Sequence, residues 1–205
     1  MAEDKGVPRA APSALTAKLP TTAIVHRREP NWFRIARLGP NFYSSHPGNR
    51  YSTPAIPGGV LYLGDEPSTC FWEVFWDTLS SVGQELRLDR KKILERSVYA
   101  ATLKRELVVF NACNPVHLKR IGANAVGCFN GDYAVCRGWG ALVYSAPENV
   151  DGILFPSARS GGKKNLALFG GRVLARDVEF KEPGTPLLAD PTISDLLITE
   201  SIGWI

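Results

Sequence analysis

The stretch between residues 59 and 79 constrains the fold more than any other part of the chain, because a buried strand there leads directly into a helix. The run Gly-Val-Leu-Tyr-Leu at 59–63 is short and apolar, which is typical of a strand inside a sheet. Asp65-Glu66-Pro67-Ser68 follows, and acidic residues with an early proline favour a helix N-terminus. The sequence predicts a helix from residue 65 to about residue 79.

The predicted helix carries a carboxylate beside its apolar face. That face is formed by residues three or four positions apart: Phe71, Val74, Phe75 and Thr78. Glu73 and Asp77 share another face, and two tryptophans, Trp72 and Trp76, flank them. We expect these aromatic neighbours to shield Glu73 from water.

Strands outnumber helices in the remaining pattern. Apolar segments predict strands after residue 31 and at 59–63, 96–103, 106–111, 152–155, 165–169 and 172–180. Two segments predict helices, at 115–121 and 133–144. Strands mixed with few helices indicate an α+β fold with a mixed sheet, and 205 residues suit a single domain.

The chain divides into three parts. Residues 1–25 lack periodicity and predict a flexible N-terminal arm, and residues 26–180 form the folded domain. Residues 181–205 predict a tail that packs on or beside the domain, with a short helix near 192–199. Within the domain, four prolines between residues 39 and 59 indicate a long loop of the kind that often serves function.

The charge balance favours a small anionic ligand or an acidic partner over nucleic acid. Lys and Arg exceed Asp and Glu by 24 − 20 = +4, and the excess is spread thinly. The basic clusters are best explained as solvated surface: Arg87, Arg90, Lys91 and Lys92 near a presumed loop, and the pair Lys163 and Lys164.

Cysteine and histidine usage indicates a cytoplasmic protein without a metal site. The four cysteines form no C-x-x-C pair, and the N-terminus has no apolar signal core. The three histidines have no metal-ligand spacing. No apolar run approaches the roughly 20 residues that a membrane span needs, so we expect no membrane contact.

Two arginines are candidates for binding a diphosphate. Arg34 lies in an apolar strand and Arg50 in the segment Gly-Asn-Arg-Tyr at 48–51. A guanidinium grips phosphate oxygens through two parallel donors. Each arginine taken alone is more simply explained by a surface or structural ion pair.

Three further residues have a functional and a simpler explanation. Tyr62 either packs within its strand or stacks on a flat heterocycle. Glu73 is either a solvated helix carboxylate or a group that stabilises a cationic sugar transition state. Ser157 lies outside any G-x-S-x-G motif and has no histidine near it in sequence, which favours a hydrogen-bonding role over a nucleophilic one.

Four motifs, taken in order, resemble the RES-domain family over roughly residues 32–170. They are Phe-Arg-Ile at 33–35, GNRYSTP at 48–54, GVLYLGDEPSTCFWEV at 59–74 and DGILFPSARSGGKKNLALF at 151–169. The family is named for arginine, glutamate and serine, which here correspond to Arg34 or Arg50, Glu73 and Ser157. The chain departs from commoner members at Tyr51-Ser52 and at Phe71-Trp72, where the family has Trp-Asn and small residues respectively.

The resemblance implies an ADP-ribosyltransferase-like fold and a toxin that consumes NAD, with an Xre-type antitoxin as partner. NAD is then a substrate and no cofactor is expected. The implied catalytic residues are Glu73, Ser157 and Arg50, and the implied NAD-binding residues are Arg34 and Tyr62. Nicotinamide leaves as a neutral base, so one carboxylate suffices, in contrast to the paired acids of most glycosidases.

Several alternatives stay open at this point. The acceptor of ADP-ribose is water, phosphate or a protein. A second class of function is a non-catalytic RES-fold module that only docks a partner, against which the polar set of Arg34, Arg50, Tyr62, Glu73 and Ser157 argues. A nucleic-acid-binding protein is the least favoured class, and it predicts affinity that falls steeply with salt.

Overall fold

The computed structural model describes residues 15, 17–24, 32–37, 39–40, 43–44, 49–83, 85–124 and 132–205. Within these ranges the chain forms twelve strands and five helices, arranged as one large mixed sheet, a small sheet and flanking helices. The predicted α+β fold with a mixed sheet and few helices is therefore confirmed.

The large sheet contains nine strands. Their bounds are β1 Thr21–Ile24, β2 Trp32–Ala36, β3 Val60–Gly64, β6 Ser97–Leu103, β7 Leu107–Asn111, β8 Gly152–Pro156, β9 Lys164–Phe169, β10 Val178–Phe180 and β11 Thr185–Pro186. The order is β1-β7-β8-β9-β3-β2-β6-β10, and β11 also pairs with β6. In the described part of the chain, β7 and β8 are parallel and the other pairs of this sheet are antiparallel.

The small sheet has three strands, β4 Ser80–Val82, β5 Glu85–Leu88 and β12 Ile202–Trp204, in the order β12-β5-β4. The helices are α1 Pro67–Phe75, α2 Arg90–Leu94, α3 Pro115–Arg120, α4 Tyr133–Ser145 and α5 Pro191–Thr199. None of these helices has both the length and the hydropathy to span a membrane.

Local chemistry explains where the helices begin. The side chains of four capping residues accept a hydrogen bond from a backbone N–H in the first turn: Asp89, Asn114, Asp132 and Asp190. Helix α1 starts two residues later than predicted, because the Asp65 carboxylate accepts from Lys164 N and Thr69 Oγ1, both at 2.9 Å. A 3₁₀ turn at Trp76–Thr78 extends the helix to its predicted end.

Strand β3 lies between two of the three apolar clusters. Val60 and Tyr62 face the cluster that includes α4, whereas Leu61 and Leu63 face a second cluster. This alternation follows from the two-residue period of a strand. A third cluster packs the buried side of α1, through Phe71 and Phe75, against residues from the C-terminal part of the chain: Leu187, Ile193, Leu197 and Ile202.

Four predicted segments differ from the structure. Residues 21–24, assigned to the flexible arm, form β1, since their backbone pairs with the exposed edge of β7. Residues 181–205 are more than a tail, because they supply β11, α5, β12 and the four core residues just named. Between 172 and 180 the extended strand is confined to β10, because the Asp177 carboxylate accepts from Leu174 N and stabilises a 3₁₀ turn. The presumed loop near Arg87 to Lys92 contains β5 and α2.

Candidate active site

A cavity of about 440 Å³ opens beside α1, β2 and β3. Four of the five residues predicted for the site line it: Arg34, Arg50, Tyr62 and Glu73. The fifth, Ser157, contacts the cavity through a hydrogen bond to Glu73. Residues far apart in sequence are thus brought to one place, and the volume falls in the range of small-molecule sites, roughly 300–1,000 Å³.

Helix α1 is held close to β3 at the point where the strand ends. Gly64 permits this approach, because a Cβ there would lie 2.8 Å from Cys70 Sγ and 3.2 Å from Thr69 Cβ. The Cys70 thiol donates to Phe33 O at 3.1 Å, which links the helix to β2. Burial raises the pKa of this thiol to about 12, so it stays protonated and retains that bond.

The Glu73 carboxylate is held by neutral donors on one oxygen. Ser157 Oγ and Asn165 Nδ2 both donate to Oε1, each at 2.9 Å. The Glu73 side chain is 23% exposed. The residues that shield it from water are these polar partners. The helix tryptophans lie elsewhere: Trp72 packs on the third cluster and Trp76 is 48% exposed. The sequence therefore predicted a sheltered Glu73 for the wrong reason.

The orientation of the Ser157 hydroxyl is fixed by its own turn. Its oxygen accepts from the backbone N–H groups of Arg159 at 3.2 Å and of Ser160 at 3.1 Å. Both lone pairs are therefore engaged, and the hydroxyl proton is directed to Glu73. No histidine enters this arrangement in the described part of the chain, which agrees with a hydrogen-bonding role for the serine.

Arg50 faces the second carboxylate oxygen. Its Nη2 lies 3.8 Å from Glu73 Oε2, and the arginine side chain is only 8% exposed. The guanidinium lies over two aromatic rings, with centroids 5.2 Å away at Tyr133 and 5.8 Å away at Phe155. A desolvated cation held against rings offers strong attraction to an anionic ligand.

Arg34 and Tyr62 line the cavity from adjacent strands. Burial lowers the pKa of Arg34 to about 10, so the guanidinium remains charged at neutral pH but is poorly hydrated. The Tyr62 hydroxyl accepts from Tyr51 N at 2.8 Å, and burial raises its pKa to about 12. Tyr62 packs on the first cluster, as the simpler explanation from sequence holds, and it also lines the cavity, while stacking on a heterocycle stays a prediction.

Sequence reasoning missed Asn165 and the ion pair at the cavity mouth. Asn165 occurs within the Asn-Leu-Ala-Leu-Phe motif, but a polar residue at a strand start carried no separate signal. Arg159, in Pro-Ser-Ala-Arg, donates to the Asp77 carboxylate at 3.0 and 3.2 Å. Its guanidinium also lies 5.8 Å from the Trp76 ring centroid. The arginine two residues after Ser157 was the sequence signal that could have pointed to this contact.

The chemistry available here is that of one oriented carboxylate facing arginines. Among the described residues no group of His, Cys, Asp and Glu is arranged to hold a metal ion. A carboxylate pinned by two donors, with cations across the cavity, suits a substrate that carries phosphates and develops positive charge on a sugar. Several residues of the sequence analysis lie outside the described residues: two of the three histidines (His26 and His46), one of the four cysteines (Cys128), and Gly48 of the GNRYSTP motif.

Comparisons with known proteins identify the family and a similar fold. The RES domain family model matches residues 23–189. A chain in the crystal structure of the M. tuberculosis MbcT-MbcA toxin-antitoxin complex has a similar fold, with a TM-score of 0.57 and 17% sequence identity. The similarity covers 84% of this chain and 92% of that one. A comparison with curated proteins found no match.

Proposed function

Since the family model spans most of its length, the chain belongs to the RES-domain family, and we propose that it is a toxin that consumes NAD. Membership confirms the resemblance drawn from the four sequence motifs. The proposed reaction breaks the N-glycosidic bond between nicotinamide and ribose and passes ADP-ribose to water, phosphate or a protein. The protein then inhibits growth unless an antitoxin neutralises it.

The observation that carries this proposal is the Glu73 carboxylate, pinned at Oε1 and facing Arg50 across a cavity of substrate size. As nicotinamide departs, positive charge develops on the ribose, and a fixed carboxylate stabilises that charge without reorganising. The leaving group is a neutral base, so the reaction needs no general acid. One carboxylate therefore suffices, and Glu73 also orients the incoming nucleophile.

The remaining residues are assigned to binding. Arg34 and Arg50 both line the cavity and supply charge for the NAD diphosphate. The Tyr62 ring offers a face for the nicotinamide or its ribose. Ser157 holds Glu73 and contacts the substrate indirectly. Arg50 thus serves two purposes, since it also balances the charge of Glu73 Oε2.

We also propose an antitoxin partner, of the Xre type that the family resemblance implies. The structural relative described above comes from a toxin-antitoxin complex, which supports a partner of this kind. Val74 lines the cavity and is 37% exposed, and Trp76, two positions further along the chain, is 48% exposed, so both offer apolar contacts to a partner.

The test is NAD consumption by the purified protein, with and without inorganic phosphate, followed through nicotinamide release and the ADP-ribose product. Release without phosphate identifies a glycohydrolase, and release that requires phosphate identifies a phosphorylase. If neither occurs, transfer of labelled ADP-ribose to protein is sought in a cell extract. Absence of all three activities would overturn the proposal and favour a non-catalytic docking module.

A further inference from the structure

We propose that Asn165 is a positioning residue for Glu73, which together with Ser157 saturates Oε1 and so reserves Oε2 for the substrate. The proposal deepens the proposed function and rests on it. Asn165 was not among the residues predicted for the site. Asn165 lines the cavity and acts through Glu73.

Asn165 is placed by the pairing of three strands. On β9 it lies opposite Gly64 of β3 and Phe155 of β8, and it is only 4% exposed. Its side-chain amide nitrogen donates to Glu73 Oε1 at 2.9 Å, although the two residues lie 92 positions apart in sequence. The nitrogen must be the atom that faces the carboxylate, because the amide oxygen would repel it.

The two donors to Oε1 come from different parts of the fold. Ser157 belongs to the turn after β8, and Asn165 belongs to β9, yet each donates to the same oxygen at 2.9 Å. Rotation of the carboxylate about its Cγ–Cδ bond would break both hydrogen bonds at once. The orientation of Glu73 is therefore fixed before any substrate arrives, which is the condition for electrostatic stabilisation without reorganisation.

The second oxygen, Oε2, is left facing the cavity and Arg50. The 3.8 Å separation from Arg50 Nη2 is too long for a hydrogen bond, so this contact is an ion pair across a gap. Oε2 therefore accepts no hydrogen bond from Arg50, and we assign its lone pairs to the ribose or to the attacking nucleophile. Asn165 therefore determines which oxygen of Glu73 contacts the substrate.

A merely structural role for Asn165 makes a different prediction. Asparagine is a poor strand former, and a residue this well buried could pack as well with an apolar side chain. If Asn165 served only to fill space, Asn165→Ala and Asn165→Asp would lower the free energy of unfolding, through a void and a buried charge respectively, but would leave the kcat of the folded protein near the wild-type value. If it positions Glu73, Asn165→Asp is the worse change, because two carboxylates then face each other.

The first experiment compares kcat and KM for Asn165→Ala and Asn165→Asp, with Asn111→Ala as the matched control. Asn111, at the end of β7, donates to Thr22 outside the cavity. We expect kcat to fall roughly 10–100-fold in Asn165→Ala, by analogy with losing a residue that orients a functional side chain, and further in Asn165→Asp. Affinity for a carbocyclic NAD analogue, which cannot release nicotinamide, should stay within about threefold because the donor is not a binding contact. A kcat within about threefold of wild type, or a smaller loss in Asn165→Asp, overturns the proposal.

A second experiment does not depend on turnover and separates this proposal from the proposed function. A double-mutant cycle on urea unfolding uses Asn165→Ala, Glu73→Ala and the combined variant. If the two side chains are coupled, Asn165→Ala should change the unfolding equilibrium about tenfold less when Glu73 is already alanine. Additive effects overturn the positioning role. Coupling in a protein that lacks NAD turnover would refute the proposed function alone.

Discussion

The guanidinium of Arg159 donates two hydrogen bonds to the Asp77 carboxylate, at 3.0 and 3.2 Å, and joins the turn after β8 to the end of α1. The backbone N–H of the same arginine donates to Ser157 Oγ. Arg159 therefore links the hydroxyl that holds Glu73 to the helix that carries Glu73. Asp77 itself lines the cavity, so this ion pair fixes part of the cavity wall relative to Ser157.

Asp77→Ala should lower turnover more than it lowers stability. The Asp77 side chain is 72% exposed, and exposed ion pairs contribute only about 0–1 kcal/mol to the free energy of unfolding. Loosening the Ser157 turn misplaces Glu73, and we expect kcat to fall about 3–10-fold. Lys104→Ala, which breaks the remote pair with Glu179, is the control for kinetics and thermal unfolding. Unchanged kcat in Asp77→Ala would contradict this role.

Glu73→Gln should abolish most NAD turnover while the fold survives. Glutamine keeps the size of the side chain and an oxygen for Ser157 and Asn165, but it removes the negative charge opposite the ribose. We expect kcat to fall about 10³-fold or more. Circular dichroism and the unfolding midpoint check the fold, and Glu179→Gln on the sheet edge serves as the control. Wild-type turnover in a folded Glu73→Gln protein would refute the assignment.

Ser157→Ala should cost less than Glu73→Gln. Asn165 still donates to Oε1 when the hydroxyl is removed, so Glu73 loses one of two supports. We expect kcat to fall roughly 10–100-fold. The comparison requires nicotinamide release measured under saturating NAD for both variants. A loss equal to that of Glu73→Gln would mean that Ser157 takes part in the chemistry directly.

Gly64→Ala should weaken both fold and activity. The new Cβ would lie 2.8 Å from Cys70 Sγ, so α1 must move away from β3. Overpacking of this kind costs about 1–3 kcal/mol in free energy of unfolding. Urea unfolding and NAD turnover measure the two effects. Gly161→Ala is the matched control, because its Cβ would meet no described atom within 4 Å. Equal stability of the two variants would argue against a close contact.

The free energy of unfolding should decrease above pH 9. Burial raises the pKa of Cys70 from its ordinary 9.0 to about 12, so the unfolded chain releases this proton first and the contribution is lost as pH rises. Arg34 acts in the opposite sense, but only above its lowered pKa of about 10. We therefore expect a decrease between pH 9 and 10, measured by urea unfolding, and a smaller one in Cys70→Ala. An identical decrease in that variant would contradict the assignment.

Local patterns predicted the part of the site that lies on one segment. A short apolar strand followed by acidic residues and proline sufficed to place Tyr62 and Glu73, because both signals depend on neighbouring residues. The partners of Glu73 could not be predicted in this way. Asn165 reaches it through the pairing of β3 with β9, and that pairing has no local signature.

The C-terminal part was underestimated for a related reason. Strands of two or three residues, such as Thr185–Pro186 and Ile202–Trp204, are too short for a two-residue period to be recognised. Their position depends on partners elsewhere, β6 and β5 respectively. The helix predicted near 192–199 is confirmed as α5, because its apolar pattern spans enough residues to be recognised without reference to distant partners.

The buried side of the helix that carries Glu73 packs on Leu187, Ile193, Leu197 and Ile202, which lie far from it in sequence. Phe71 and Phe75 depend on those residues for part of their apolar cover. The orientation of Glu73 therefore depends on packing on the far side of its helix, so substitutions at these positions would reach the carboxylate without altering a residue that lines the cavity.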